Sequence, residues 1–261
     1  MSTKIHSTAI IEEGAKIGEG TEIGPYAVIG AQVVLGENCR VGHHATVTGR
    51  TVAGPENTFF PYAAVGLATQ DLKFSGGEPG LAIGRKNVFR EFCTVHTATN
   101  DGEETRIGDG NHFLAYTHVA HDCIVGNGVI MSNNATLAGH VIVEDGVVMG
   151  GFAGVHQFTR IGRLAMIGGM SKITQDVPPF FIADGNPATI RAVNVVGLER
   201  RGYDRAAIEE IKRLFRVVYR EKRNRTQAME CLRTLSDRPA EPVVQMLAFL
   251  EEAKRGIVPG S

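Results

Sequence analysis

Apolar residues recur at every sixth position along most of the chain. Ile5, Ile11, Ile17, Ile23, Ile29, Leu35, Val41, Val47, Ala53, Phe59 and Val65 share one register, which resumes at Ile83, Phe89 and Val95 and again from Ile107 to Ile173, with breaks at Asp71, Gly77 and Asp101. A second rail two residues earlier carries small side chains, among them Ala9, Ala27, Cys39, Ala45, Cys93, Cys123, Ala135 and Ala153. Residues two apart face the same side of a strand, so each hexad offers one large and one small inward side chain. A helix of 3.6 residues per turn cannot hold a period of six. The pattern predicts very short strands and tight corners stacked as a solenoid, each coil covering the next. Glycine often follows the large residue, as at Gly18, Gly36, Gly126 and Gly150, and is expected there to supply permissive corner backbone.

From residue 5 to about 175 this register resembles the hexapeptide-repeat family. The resemblance implies a left-handed parallel β-helix with three hexads per coil, an exception to the right-handed crossover rule. Two segments leave the register, 67–82 (LATQDLKFSGGEPGLA) and 97–106 (TATNDGEETR), and are expected to be loops thrown out from corners, where functional residues gather. Pro178 and Pro179 are expected to end strand pairing. From Asp204, a candidate N-cap, the period becomes helical, with Ile208, Ile211, Phe215, Val218 and Tyr219 on one face. Further helices are expected at about 226–236 and 241–255. The expected division is a β-helix domain over 1–190 and a small α-helical domain over 191–261.

Composition narrows the function classes. Glycine is high at 32 of 261 residues while proline is only 10, which fits glycine at structured turns rather than collagen or disorder. A formal net charge of −1 argues against a global field for nucleic acid or anionic membrane. No run reaches the ~18 apolar residues of a membrane span. The four cysteines are scattered without a CxxC pair and the start MSTKIHSTAIIEEG has no signal-peptide pattern, so a reduced, cytoplasmic setting is expected.

Four of the nine histidines, His118, His121, His140 and His156, crowd into 117–158. If residues eighteen apart stack on successive coils, His121, Gly139 and Gln157 form one column, and His140 and His156 flank it. Such a cluster fits zinc binding, polar corners satisfied without activity, or general-base catalysis by a neutral imidazole. In the last reading Asp122 would orient His121 and the Gly139 amide would suit an oxyanion. A scaffold solenoid without catalysis is the alternative from another class.

The motifs HVAHDC, NNATLAGH, VHQF, QDLK, QDVPPF and VNVVGLERRG together resemble the UDP-N-acetylglucosamine acyltransferases that start lipid A synthesis. The resemblance implies transfer of a 3-hydroxyacyl chain from acyl carrier protein to the glucosamine 3-position, with His121 as general base, Asp122 supporting it and Gly139 holding the oxyanion. It assigns Gln70, Asp71 and Lys73 to the acyl and sugar portions, and His118, His140, His156 and Gln157 to the sugar nucleotide pocket. Gly169 matches the family position that limits acyl length, and with no side chain it would leave the groove open to a long 3-hydroxyacyl donor. Asn194, Arg200 and Arg201 would serve nucleotide phosphate and the acidic carrier, in trans within a homotrimer. No metal and no cofactor are implied. Two positions depart from the family: His96-Thr97-Ala98-Thr99 stands where His-Arg-Gly-Thr is common, and Val196 where an acid is common.

Overall fold

The computed structural model describes residues 2–234 and 240–261. Its strands are mostly two residues long and pair in parallel into three sheets, of eleven, nine and eight strands among the described residues. They form the three faces of a left-handed β-helix. Register follows the eighteen-residue coil, as in His118 opposite Thr136 and Thr136 opposite Gly154. Where a loop leaves the coil the partner lies further along the chain: Thr58 pairs with Val88, and Val88 with His112. Both loops are narrower than the lost register implies, because Gly80–Ile83 and Glu104–Ile107 are already strands, paired with each other.

Large apolar residues fill the axis. Phe59, Phe89 and Phe113 stack at 5.1 Å between successive rings, and Met131, Met149 and Ile167 continue the column, all buried. Ile5 is on the same register yet 48% exposed, since its coil has a neighbour on one side only.

The corner glycines have a different cause from the one expected. Gly36 and Gly150 lie outside the left-handed region, but a Cβ on Gly36 would stand 2.6 Å from the carbonyl carbon of Gly54, and one on Gly150 2.5 Å from the Gly169 nitrogen. Close approach of stacked backbones, not φ, excludes a side chain there. Positive φ falls instead three residues after the large position, at Tyr26, Asn38, His44, Tyr62, Asp122, Asn134 and His140.

Pro178 and Pro179 do not end the sheet. Phe181–Gly185 adds in parallel beside Met166–Ile167, and Ala188–Val193 turns back antiparallel to it. Helices α1 (Val195–Arg200), α2 (Arg205–Phe215), α3 (Arg225–Thr234) and α4 (Glu241–Glu252) follow. Asp204 caps α2, its side chain accepting from the Ala207 amide at 2.8 Å. Leu214 of α2 is buried beside Ile208 and Ile211, and in the π-helical turn Arg216–Arg220 the buried residue is Val217, while Val218 and Tyr219 are only partly covered. Residues 235 and 236 of the expected third helix lie outside the described residues. The fourth helix stops earlier than expected, and the chain beyond it bridges back, Ile257 to Asp176 and Gly260 to Ile190. None of the described helices is long and apolar enough to cross a membrane.

Candidate active site

His121 and Asp122 sit at one corner of the β-helix, with Asp122 in the left-handed conformation at φ 59°. The His121 Nδ1 lies 2.7 Å from Asp122 Oδ2, and the two side chains are 13% and 8% exposed. One coil on, the His140 amide donates to the His121 carbonyl at 3.0 Å. Its ring meets that of His121 edge-on at 5.3 Å, with His140 Nε2 3.6 Å from Asp122 Oδ2. Phe158, a further coil along, stacks on His140 at 4.5 Å.

Burial works to raise the Asp122 pKa, but hydrogen bonds from His121 and Thr99 outweigh it and leave the carboxyl below its ordinary value. The group is an anion beside an imidazole. Gly139 lies under the His121 ring: a Cβ there would come within 2.6 Å of Nε2. Among the described residues its amide has no acceptor. The corner therefore holds an imidazole braced by a carboxylate through Nδ1, a free Nε2, and a free backbone N–H on the neighbouring coil.

His121, Asp122 and His140 offer three donor atoms within 4.8 Å of one another, which bears on the zinc alternative. Two ligands on tetrahedral zinc at ~2.0 Å would be separated by about 3.3 Å. The 2.7 Å between His121 and Asp122 is a hydrogen-bond distance, so the pair as arranged is a hydrogen-bonded dyad rather than a coordination shell.

The other expected residues are distributed unevenly. His118, three residues before His121, hydrogen-bonds Thr94 Oγ1 at 2.8 Å and meets His96 edge-on at 4.9 Å. Burial, with the charges of His96 and His121, pushes it down to about 4. His156 and Gln157 are exposed on the following coil, where His156 Nδ1 contacts the Gln157 carbonyl at 3.1 Å. The Gln70 and Lys73 side chains are exposed, while the Asp71 carboxylate accepts the Lys73 amide.

Gly169 lies at a different corner, next to Met170 and against Gly151. Asn194 is buried, and its side-chain amide accepts from Gly197 N–H as the cap of α1 and donates to the Leu164 carbonyl. Arg201 donates to the Gly128 carbonyl at 2.9 Å, at the third corner, and Arg200 ends α1 beside it. The fold thus gathers His121, Asp122, Gly139 and His140, with His118 adjoining, but keeps Gly169, Arg200 and Arg201 away from them within one chain.

Sequence reasoning missed the threonines. Thr99 touches both members of the dyad, and the Asp122 amide donates to Thr105 Oγ1 at 2.8 Å. Thr99 lies in a loop off the repeat, so no spacing signal could locate it.

The comparisons agree with this architecture. Residues 14–49 and 104–139 match the bacterial transferase hexapeptide model, and 176–258 match that of UDP-N-acetylglucosamine O-acyltransferase, domain 2. An acyl-[acyl-carrier-protein]–UDP-N-acetylglucosamine O-acyltransferase of Verminephrobacter eiseniae is 47% identical over 98% of this chain and 99% of its own; that of Gloeothece citriformis is 44% identical over 100% and 95%. The solved LpxA of Acinetobacter baumannii superimposes with a TM-score of 0.94 at 39% identity, over 97% of this chain and 99% of that one. Likeness of this extent, running through solenoid and helices alike, places the chain in the acyl-[acyl-carrier-protein]–UDP-N-acetylglucosamine O-acyltransferase family.

Proposed function

We propose that the chain transfers a 3-hydroxyacyl group from acyl carrier protein to the 3-hydroxyl of UDP-N-acetylglucosamine, the first step of lipid A biosynthesis, with His121 as general base. The observation that carries the mechanism is the His121 Nδ1 to Asp122 Oδ2 contact beside a free Gly139 amide. Nδ1–H donates to the carboxylate, so Nε2 presents a lone pair. Nε2 takes the proton of the sugar hydroxyl as its oxygen attacks the thioester carbonyl. The Gly139 N–H stabilises the resulting oxyanion. As the tetrahedral intermediate collapses, the C–S bond breaks and the imidazolium returns its proton to the leaving thiolate.

His118, His140, His156 and Gln157 line the sugar nucleotide side, Gln70, Asp71 and Lys73 the loop side, and Gly169, at the position that sets acyl length, leaves room for a long donor. Asn194 serves the nucleotide side and, as the cap of α1, also positions Arg200 and Arg201. Those arginines complete a neighbour's site in a homotrimer, binding phosphate and the acidic carrier. An exposed ladder of Tyr26, Tyr62, Phe92, Tyr116 and Phe152 along one corner supports such burial between copies. The cytoplasm is the proposed compartment, in keeping with four free cysteines.

The test supplies 3-hydroxyacyl carrier protein and UDP-N-acetylglucosamine and follows free thiol together with the product mass. Thiol release that requires the sugar nucleotide, with one acyl group added to it, is expected. Release independent of sugar, or none, contradicts the reading.

A further inference from the structure

Two threonines from separate loops meet beside the dyad. The hydroxyls of Thr69 and Thr99 are 3.2 Å apart, and both residues are buried at 9% exposure. Thr69 Oγ1 accepts the Asp71 amide at 3.0 Å. Thr99 Oγ1 lies 2.8 Å from Asp122 Oδ2 and 3.0 Å from His121 Nδ1, and the Thr99 amide donates to Asp122 Oδ1 at 3.1 Å.

The ends of this line fix its direction. An amide can only donate and a carboxylate can only accept, while a hydroxyl has one proton to give. Thr69 receives from the Asp71 amide and gives its proton to Thr99; Thr99 gives its own to Asp122. No hydroxyl proton remains for His121 Nδ1, which faces only acceptors and therefore carries the hydrogen itself. One continuous path then runs from the loop bearing Gln70, Asp71 and Lys73 to the base.

We propose that Thr99 is a positioning residue for the His121–Asp122 dyad and that Thr69 locks it, so that the substrate loop and the base are set by the same hydrogen-bonded line. This rests on His121 acting as the base. Thr99 also takes up part of the acceptor strength of Asp122. Without its hydroxyl, the carboxylate stabilises an imidazolium more strongly, and the base protonates more readily.

The experiment compares Thr99→Val, Thr99→Ser and Thr69→Val in the full chain, recording pH profiles, kcat, KM and melting temperature. Thr99→Val is expected to lower kcat by about tenfold or more, the scale of one hydrogen bond to a charged group, and to move the acid limb of the profile to higher pH. Thr99→Ser should restore both. Thr69→Val should raise KM for the substrates more than it lowers kcat, because it frees the loop before it frees the base. An acid limb and kcat of Thr99→Val equal to wild type would overturn the proposal, as would a serine variant no better than valine.

Nitrogen NMR of His121 in the substrate-free chain gives an answer independent of turnover. Protonated Nδ1 is expected, and a dominant Nε2–H tautomer would contradict the relay. Normal activity in His121→Ala would instead remove the base assignment.

Discussion

Two corners of the β-helix stack polar side chains along the axis, and they use them in opposite ways. At one, Asn57, Asn87 and Asn111 form a closed ladder. The Asn57 Oδ1 accepts the amide and Nδ2 of Asn87, the Asn87 Oδ1 accepts the amide and Nδ2 of Asn111, and the Asn111 Oδ1 accepts the Val129 amide. The remaining donors of Asn57 and Asn87 reach the carbonyls of Gly54, Gly84 and Gly108. At the other corner the line from Asp71 through Thr69, Thr99 and Asp122 ends at His121, whose Nε2 has no partner among the described residues, next to the unpartnered Gly139 amide. A polar stack that satisfies itself stabilises the coil; one that stops short leaves an N–H and an imidazole nitrogen unpaired.

Substitutions that separate stability from turnover sharpen this contrast. Asn87→Ala should have the largest effect on stability. It leaves the Asn111 amide and Asn111 Nδ2 without the Asn87 Oδ1 acceptor in a buried site, at about 1–3 kcal/mol for each group, while Asn57 Oδ1 keeps the residue-87 backbone N–H. Thermal unfolding should show a clearly lower Tm, while kcat of the folded enzyme stays near wild type.

Acid should act on the histidine side. His118 is held down at about 4 and His96 is likewise lowered, chiefly by burial, against ~6.5 in an unfolded chain. The unfolded state therefore binds more protons in that window, and stability present above about pH 6.5 is lost as pH falls toward 4. Unfolding midpoints measured across this range should fall with pH. In His118→Asn the fall should be shallower, and an identical slope would show that the charge is borne elsewhere.

Gly139→Ala should leave Tm close to wild type but displace the His121 ring, which the new Cβ meets at 2.6 Å from Nε2. Steady-state kinetics should show kcat reduced by about ten- to a hundredfold. Gly169→Met should have the mildest effect. A Cβ at Gly169 meets nothing nearer than the Gly151 carbonyl oxygen at 3.4 Å, so a side chain fits there and would enter the proposed acyl path. Competition between donors should shift toward shorter chains, each excluded methylene forfeiting about 0.8 kcal/mol.

The solenoid was legible because its axis is set by a local period: Phe59, Phe89 and Phe113 announce themselves by register alone. The stacking of Gly139 under His121, with His140 beside it, was legible for the same reason, since coil length converts spacing into contact. Thr69 and Thr99 were not, because loops off the corners carry no period and their contacts depend on a folded path. The glycine rule failed for a related reason. Sequence shows where a side chain is absent, but not that at Gly36 a Cβ is excluded because it would stand 2.6 Å from the backbone of the next coil. The buried face of the helical part was misplaced beyond Phe215, where a π-helical turn alters the angular step.

The central claim is that the open corner performs the reaction without holding the fold together. His121→Ala tests it most directly, with thiol release and thermal unfolding measured on the same preparation. The account predicts turnover reduced by about 10²–10⁴-fold, the range for loss of a general base, at a Tm close to wild type. Near-normal turnover in a well-folded His121→Ala protein would contradict it.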